Sequence, residues 1–390
     1  MRPLERLDVR VARAAKPQPR IGRRDMNTSS SSTLQLGLGF DDLPAQADAA
    51  RPQPRKSLAP PALAAAAAPV ARPPVPGAPG APGAPDGTGA PDWEHMAQAL
   101  DSHPDFRVLR RLVPPLMFPA PARGQTLRVL LLDTETTGLS AARDKVIELA
   151  LLAFDLDLAT GEPAGLLEVY DGLEDPGVPL SPEVQQLTGI TNDMLRGQRL
   201  DEARIAQLLA GAQLVIAHNA AFDRPFVEAR LPVFAELDWA CSFAEIDWKG
   251  QGRDSAKLSA LAMQLGWFYD AHRAEMDCHA LLAVLRPPLP LGERNGLMHL
   301  VEAARRPSFR LQATGAPFEA KDLLKARNYR WDSNLRVWFT QLRDEAALLA
   351  ETQWLKAQVY AGRPARAQVE QLDARQRYSG RPGRLDFRPL

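Results

Sequence analysis

From Thr126 onward, apolar runs alternate with short polar breaks. Leu127, Val129, Leu130, Leu131 and Leu132 read as a buried strand over 126–133. Similar runs over 145–155 and 165–171 follow at short connections, and antiparallel pairing of the three is the simplest arrangement. Ser181 with Pro182 behind it reads as a helix cap and first turn. Helical spacing over 201–210, 221–230, 256–265 and 274–285 surrounds one more strand, "QLVIAHN" at 213–219. A mixed sheet with flanking helices is an α/β architecture. Upstream, Asp92 is placed to cap a helix over "WEHMAQALDSH", and "FRVLRRL" is expected to add a short helical piece. Downstream, a helix over 318–326 and a strand over 337–340 predict a small α+β module, and the polar stretch past 360 reads as loose.

Composition divides the chain further. Residues 1–92 hold 16 of the 35 prolines, together with an alanine run and three GAP triplets. A segment so poor in large apolar side chains is expected to be disordered. The expected organisation is a disordered tail (1–91), a helical lead-in and linker (92–124), a main domain (125–287), a small tryptophan-containing module (288–360) and a loose basic tail (361–390). The net charge of zero conceals a strong asymmetry. Residues 1–124 carry +5, residues 125–287 carry −12 and residues 288–390 carry +7. An acidic middle binds a polyanion poorly unless cations fill it and the basic flanks track the phosphates. The apolar run at 61–70 is too short to span a bilayer, and no apolar segment follows the arginines near Met1. With only Cys241 and Cys278, a disulfide framework is excluded, and a reducing cytoplasm fits.

Asp133 and Glu135 close the first strand, and alternate strand residues share a face. Two like charges placed together repel unless a cation lies between them. A lone D-x-E is more often a solvated strand end, so the rest of the chain decides. "HNAAFD" carries a strand out to His218 and Asn219 and turns into a helix bearing Asp223. "HRAEMD" places His272 ahead of a helix with Asp277 in its first turn, where a carboxylate is favoured. Four carboxylates without a cysteine cluster suit a hard cation, Mg²⁺ or Mn²⁺.

In this order D-x-E-T-T-G, H-N-x-x-F-D and H-x-A-x-x-D resemble the three motifs of the DEDDh 3′–5′ exonucleases. They are similar in particular to the proofreading epsilon subunit of bacterial DNA polymerase III and its stand-alone relatives, a resemblance that implies a ribonuclease H-like fold. The resemblance covers about 126–287. It implies catalysis by Asp133, Glu135, Asp223, His272 and Asp277, with the four carboxylates holding two metal ions. Such a pair activates water and stabilises the leaving oxygen of an in-line displacement. A histidine, which as a residue type titrates near neutrality, can take the proton from that water. The product implied is a nucleoside 5′-monophosphate released from a 3′ end, with single-stranded DNA as the expected substrate in a bacterial cytoplasm. Further matches are Thr136 to a residue holding the 3′-hydroxyl, Leu139 to one packing on the terminal base, and His218, Asn219 and Phe222 to residues lining the site. Each also has a structural reading, as does Glu148 in its apolar strand. An RNA-trimming enzyme of the same fold and a non-catalytic polymerase accessory subunit are the alternatives; the intact five residues argue against the latter.

Two features lie outside these motifs. Tyr329, Trp331 and Trp338 sit among Lys321, Lys325, Arg327, Arg330 and Arg336, either as the core of a small module or as a surface stacking bases. Gln35, Leu36, Leu38 and Phe40 match Q-L-x-L-x-F, which resembles the peptide by which bacterial polymerases and repair enzymes bind the sliding clamp.

Overall fold

The computed structural model describes residues 92–121 and 124–390. The clamp-like residues Gln35, Leu36, Leu38 and Phe40, and the tail that bears them, lie outside the described residues. In chain order the elements begin with α1 (Trp93–Asp101), β1 (Arg110–Arg111), β2 (Thr126–Thr136), β3 (Val146–Asp157) and β4 (Pro163–Leu173). Next come α2 (Pro182–Thr188), α3 (Asn192–Leu195), α4 (Glu202–Leu209), β5 (Leu214–Ala217), α5 (Ala220–Arg230), β6 (Asp238–Cys241) and α6 (Ser242–Glu245). Then follow α7 (Leu258–Gln264), β7 (Trp267–Phe268), α8 (Ala274–Leu285) and α9 (Gly296–Ala304). The remainder is β8 (Ser308–Ala313), α10 (Lys321–Ala326), β9 (Arg330–Asp332), β10 (Val337–Leu342), α11 (Glu345–Trp354), β11 (Arg366–Leu372) and β12 (Arg384–Pro389).

The first five-stranded sheet runs β4-β3-β2-β5-β6, with β2, β3 and β4 antiparallel and β5 and β6 parallel to β2. This is the mixed α/β sheet with flanking helices expected from the sequence. β2 and β3 are apolar on both faces because helices cover both. Val129 and Leu131 join the cluster containing Leu281, Leu282 and Leu285 of α8. Leu130 and Leu132 join Ile205 and Leu208 of α4 and Phe226 and Val227 of α5. That parity decides where the acidic residues go. Asp133 and Glu135 continue the α8 face, and Thr134 continues the α5 face.

Two expectations fail. "FRVLRRL" is not helical: Arg110 and Arg111 pair in parallel with Trp267 and Phe268, and the Arg110 N–H donates to the Gly266 carbonyl at 2.8 Å. A two-residue pairing set by a distant partner leaves no local period to read.

The larger correction concerns 361–390, which is not a loose tail. β11 and β12 belong to a second sheet ordered β12-β11-β8-β10-β9, antiparallel at every pairing. The segment between them crosses back onto the first domain as a strap. The Arg224 guanidinium of α5, wholly buried, donates to the carbonyls of Arg377 (2.6 Å), Arg375 (2.6 Å) and Ala374 (3.3 Å) and to Glu228 (2.5 Å). Arg381 pairs with Glu228 at 2.7 Å, and the Trp239 N–H on edge strand β6 donates to the Ala374 carbonyl at 3.0 Å. Polar side chains whose partners are far away in sequence show no hydrophobic period, so the strap reads as a tail.

In the second sheet Phe309, Leu311, Ala313, Tyr329 and Leu348 form the core, with Trp338 packed against it. Trp331 stands edge-on to Trp338, ring centroids 5.4 Å apart, and is half-exposed. Tyr329 and Trp338 are therefore mainly core residues of the module. Among the described residues, no helix is long and apolar enough to cross a membrane.

Candidate active site

The acidic residues meet at the C-terminal end of β2. Ligand oxygens of Asp133, Glu135 and Asp277 all lie within 4.8 Å of one another. Asp277 arrives there because α8 packs on the face to which Asp133 and Glu135 point. Asp223 approaches from the other face, on α5, where it accepts a 2.8 Å hydrogen bond from the Thr134 hydroxyl. The end of β2, the central strand, thus separates three carboxylates from the fourth. Asp277 is held on both oxygens, accepting from the Tyr269 hydroxyl (2.8 Å) and the His272 backbone N–H (2.8 Å). Tyr269 is a site residue that motif reading missed, since its spacing to Asp277 belongs to no motif quoted above.

Electrostatics fit a cation site. Burial, then the charges of Asp223, Asp277, Glu135 and Glu148, hold the Asp133 carboxyl well above the usual carboxylate range. Glu135 is pushed up to about 8 by burial and by Asp277, Glu148 and Asp223, with Arg273 opposing. Asp223 rises to about 7 through burial, partly offset by the Thr134 hydroxyl. Asp277 is raised too, by burial, against the bonds from Tyr269 and His272. So many carboxylates cannot all be charged together without counter-charge. The donor set is oxygen throughout, which suits a hard divalent cation.

The loop after β2 is fixed by its own residues. The Thr136 hydroxyl donates to the Gly138 carbonyl at 2.6 Å, and Asp144 accepts from the Ser140 N–H at 2.8 Å. A Cβ at Gly138 would lie 2.7 Å from the Asp144 carboxylate, so a larger residue there would force that side chain to shift. Leu139, 53% exposed, stands free beside this loop. His272 is exposed, next to Asp277.

The remaining expected site residues are more occupied. His218 offers no free ring nitrogen: Nδ1 meets the Ser242 hydroxyl at 2.7 Å, and Nε2 meets the Ala256 carbonyl at 2.9 Å. Burial lowers its pKa to about 4, so it is neutral and structural. Of its two readings, these contacts favour the structural one. Asn219 turns the chain from β5 into α5 at φ 81°, a left-handed conformation that asparagine tolerates. Phe222 is half-buried against Phe226, ring centroids 5.0 Å apart.

Residues 130–285 match the sequence profile of the RNase_T exonuclease family. That match takes in less than half of the chain. Its relatives include DNA polymerase III subunit epsilon of Treponema pallidum, 29% identical over 192 residues, which make up 46% of this chain and 83% of that one. DNA polymerase III PolC-type of Halalkalibacterium halodurans is 37% identical over 118 residues, 27% of this chain and 8% of that protein. The exonuclease thus spans less than a tenth of that PolC relative. Among solved structures, Exonuclease X in complex with 5′ overhanging duplex DNA aligns with 44% of this chain and 99% of its own, at 23% identity and a TM-score of 0.32.

Proposed function

We propose that this exonuclease hydrolyses DNA from the 3′ end, releases nucleoside 5′-monophosphates and depends on two divalent cations, Mg²⁺ or Mn²⁺. Its place would be the bacterial cytoplasm, in replication or repair. The observation that carries this reading is the convergence of Asp133, Glu135 and Asp277 within 4.8 Å, with Asp223 facing them across the strand end. Asp133, Glu135, Asp223 and Asp277 would hold the cations. When bound, these supply a nucleophilic water and charge stabilisation at the leaving oxygen.

The rest falls to the chain itself. His272, exposed beside Asp277, is placed to take a proton from water arriving from solvent. Leu139 presents an apolar surface on which a terminal base can pack. The relation to replicative polymerase subunits favours DNA over RNA.

The test is digestion of 3′-labelled single-stranded DNA, duplex DNA and RNA with Mg²⁺, Mn²⁺ or EDTA. Stepwise release of mononucleotides from labelled DNA, abolished by EDTA, is expected. Activity that survives EDTA overturns the metal assignment, and preferential digestion of RNA overturns the substrate.

A further inference from the structure

His272 has a φ of 66°, in the left-handed region that residues with a Cβ seldom adopt. Such a conformation persists only where the surroundings over-determine it. Two sets of contacts do so here. On one side the His272 N–H donates to Asp277 Oδ2 at 2.8 Å. On the other stands Glu148, a fully buried carboxylate in β3 directly opposite Glu135. Its Oε1 accepts from Arg273 Nε (2.9 Å) and Nη2 (2.7 Å), and its Oε2 accepts from the Ala274 N–H (3.0 Å). Both oxygens therefore grip the two residues that follow His272, at the entry to α8. Nothing in the local sequence of β3 requires a carboxylate there; every other residue from Val146 to Phe154 is apolar.

We propose that Glu148 and Arg273 are positioning residues for the exonuclease reaction, fixing the strained backbone of His272 so that its imidazole is presented beside Asp277. A metal-ligand role for Glu148 is disfavoured, because both its oxygens are already engaged by Arg273 and Ala274. A displacement of about 1 Å in a reacting group can cost on the order of 100-fold in rate. The inference rests on His272 acting as the general base.

A double-mutant cycle tests it. Arg273→Gln and Glu148→Gln are made in the wild-type chain and in His272→Ala. Arg273→Gln in the wild type is expected to lower kcat about 10- to 100-fold with KM little changed. Mn²⁺ binding, followed by paramagnetic resonance, stays as in the parent. In the His272→Ala background the same change should cost less than about 2-fold, since the residue it positions is gone. An equal loss in both backgrounds, or a loss of Mn²⁺ binding, overturns the proposal. No effect of His272→Ala itself would instead remove the base assignment beneath it. If Glu148→Gln unfolds the protein, Arg273→Gln carries the test alone, as its side chain is 38% exposed.

Discussion

Replacing Arg224 by methionine tests whether the C-terminal strap is part of the exonuclease or merely lies against it. The guanidinium is wholly buried and makes three bonds to strap carbonyls, at 2.6, 2.6 and 3.3 Å. It also lies over the Trp239 ring, 5.1 Å from the centroid. A hydrogen bond to a charged group contributes about 1.5–3 kcal/mol. Three of them would sum to more than the net effect, because the buried charge also carries a desolvation cost that methionine removes. Breaking one side of such a buried network costs about 3–5 kcal/mol. A domain of this size loses about 2–4 °C of melting temperature per kcal/mol. The expected drop is therefore on the order of 6–20 °C by the same scaling. Arg224→Lys should fall between the two, since an ammonium cannot reach three carbonyls and Glu228 together. Thermal unfolding by circular dichroism gives the magnitude. Exonuclease assays well below the melt show whether Asp223, the neighbouring residue on α5, is displaced. A melting temperature within about 2 °C of wild type would refute the docking of the strap through Arg224.

Three further outcomes are expected, two at the site and one in the N-terminal segment. Asp133→Asn should abolish hydrolysis while raising the melting temperature of metal-free protein, because an ionisable group disfavoured by burial and by its acidic neighbours is gone; retained activity or an unfolded variant would defeat the assignment. Without metal, Glu135 (about 8, against 4.5) and Asp223 (about 7, against 3.8) bind more protons folded than unfolded. Stability of the metal-free protein should therefore fall as pH rises from about 4 to about 8, and saturating Mn²⁺ should flatten that slope. Melting curves at fixed ionic strength measure both, and a metal-free slope of opposite sign contradicts the cluster's electrostatics. A peptide spanning 30–44 should bind purified sliding clamp from the same organism and lose binding with Leu38→Ala and Phe40→Ala. No binding at roughly 100 µM would rule out a working tether.

The parts of the site legible in the sequence are those fixed by short-range periods. β2 announces itself through five apolar residues, and the period of two already places Asp133 and Glu135 on one face. Asp277 is legible because a helix follows His272 at once. The face from which Asp223 enters was not legible, because it depends on which side of the sheet α5 packs. His218 looked like a site residue from its motif, but its two ring contacts come from Ser242 and Ala256, far downstream. Glu148 stood out as a charge in an apolar strand, yet only the folded chain brings Arg273 and Ala274 to it. The strap is the extreme case: its information lies in backbone carbonyls, which carry no residue-specific signal.

The order in which the ribosome delivers these parts gives the strap another meaning. The carbonyls that receive Arg224 lie 150 to 153 residues after it. At about 5–20 residues per second, they emerge roughly 8–30 s later than Arg224 itself. For most of that interval α5, and Asp223 with it, lacks the strap's contacts while the sheet beneath, finished at β6, is already complete. The nuclease is therefore finished from its far end, and a nascent chain carries its acidic residues before it can hold all of them in place.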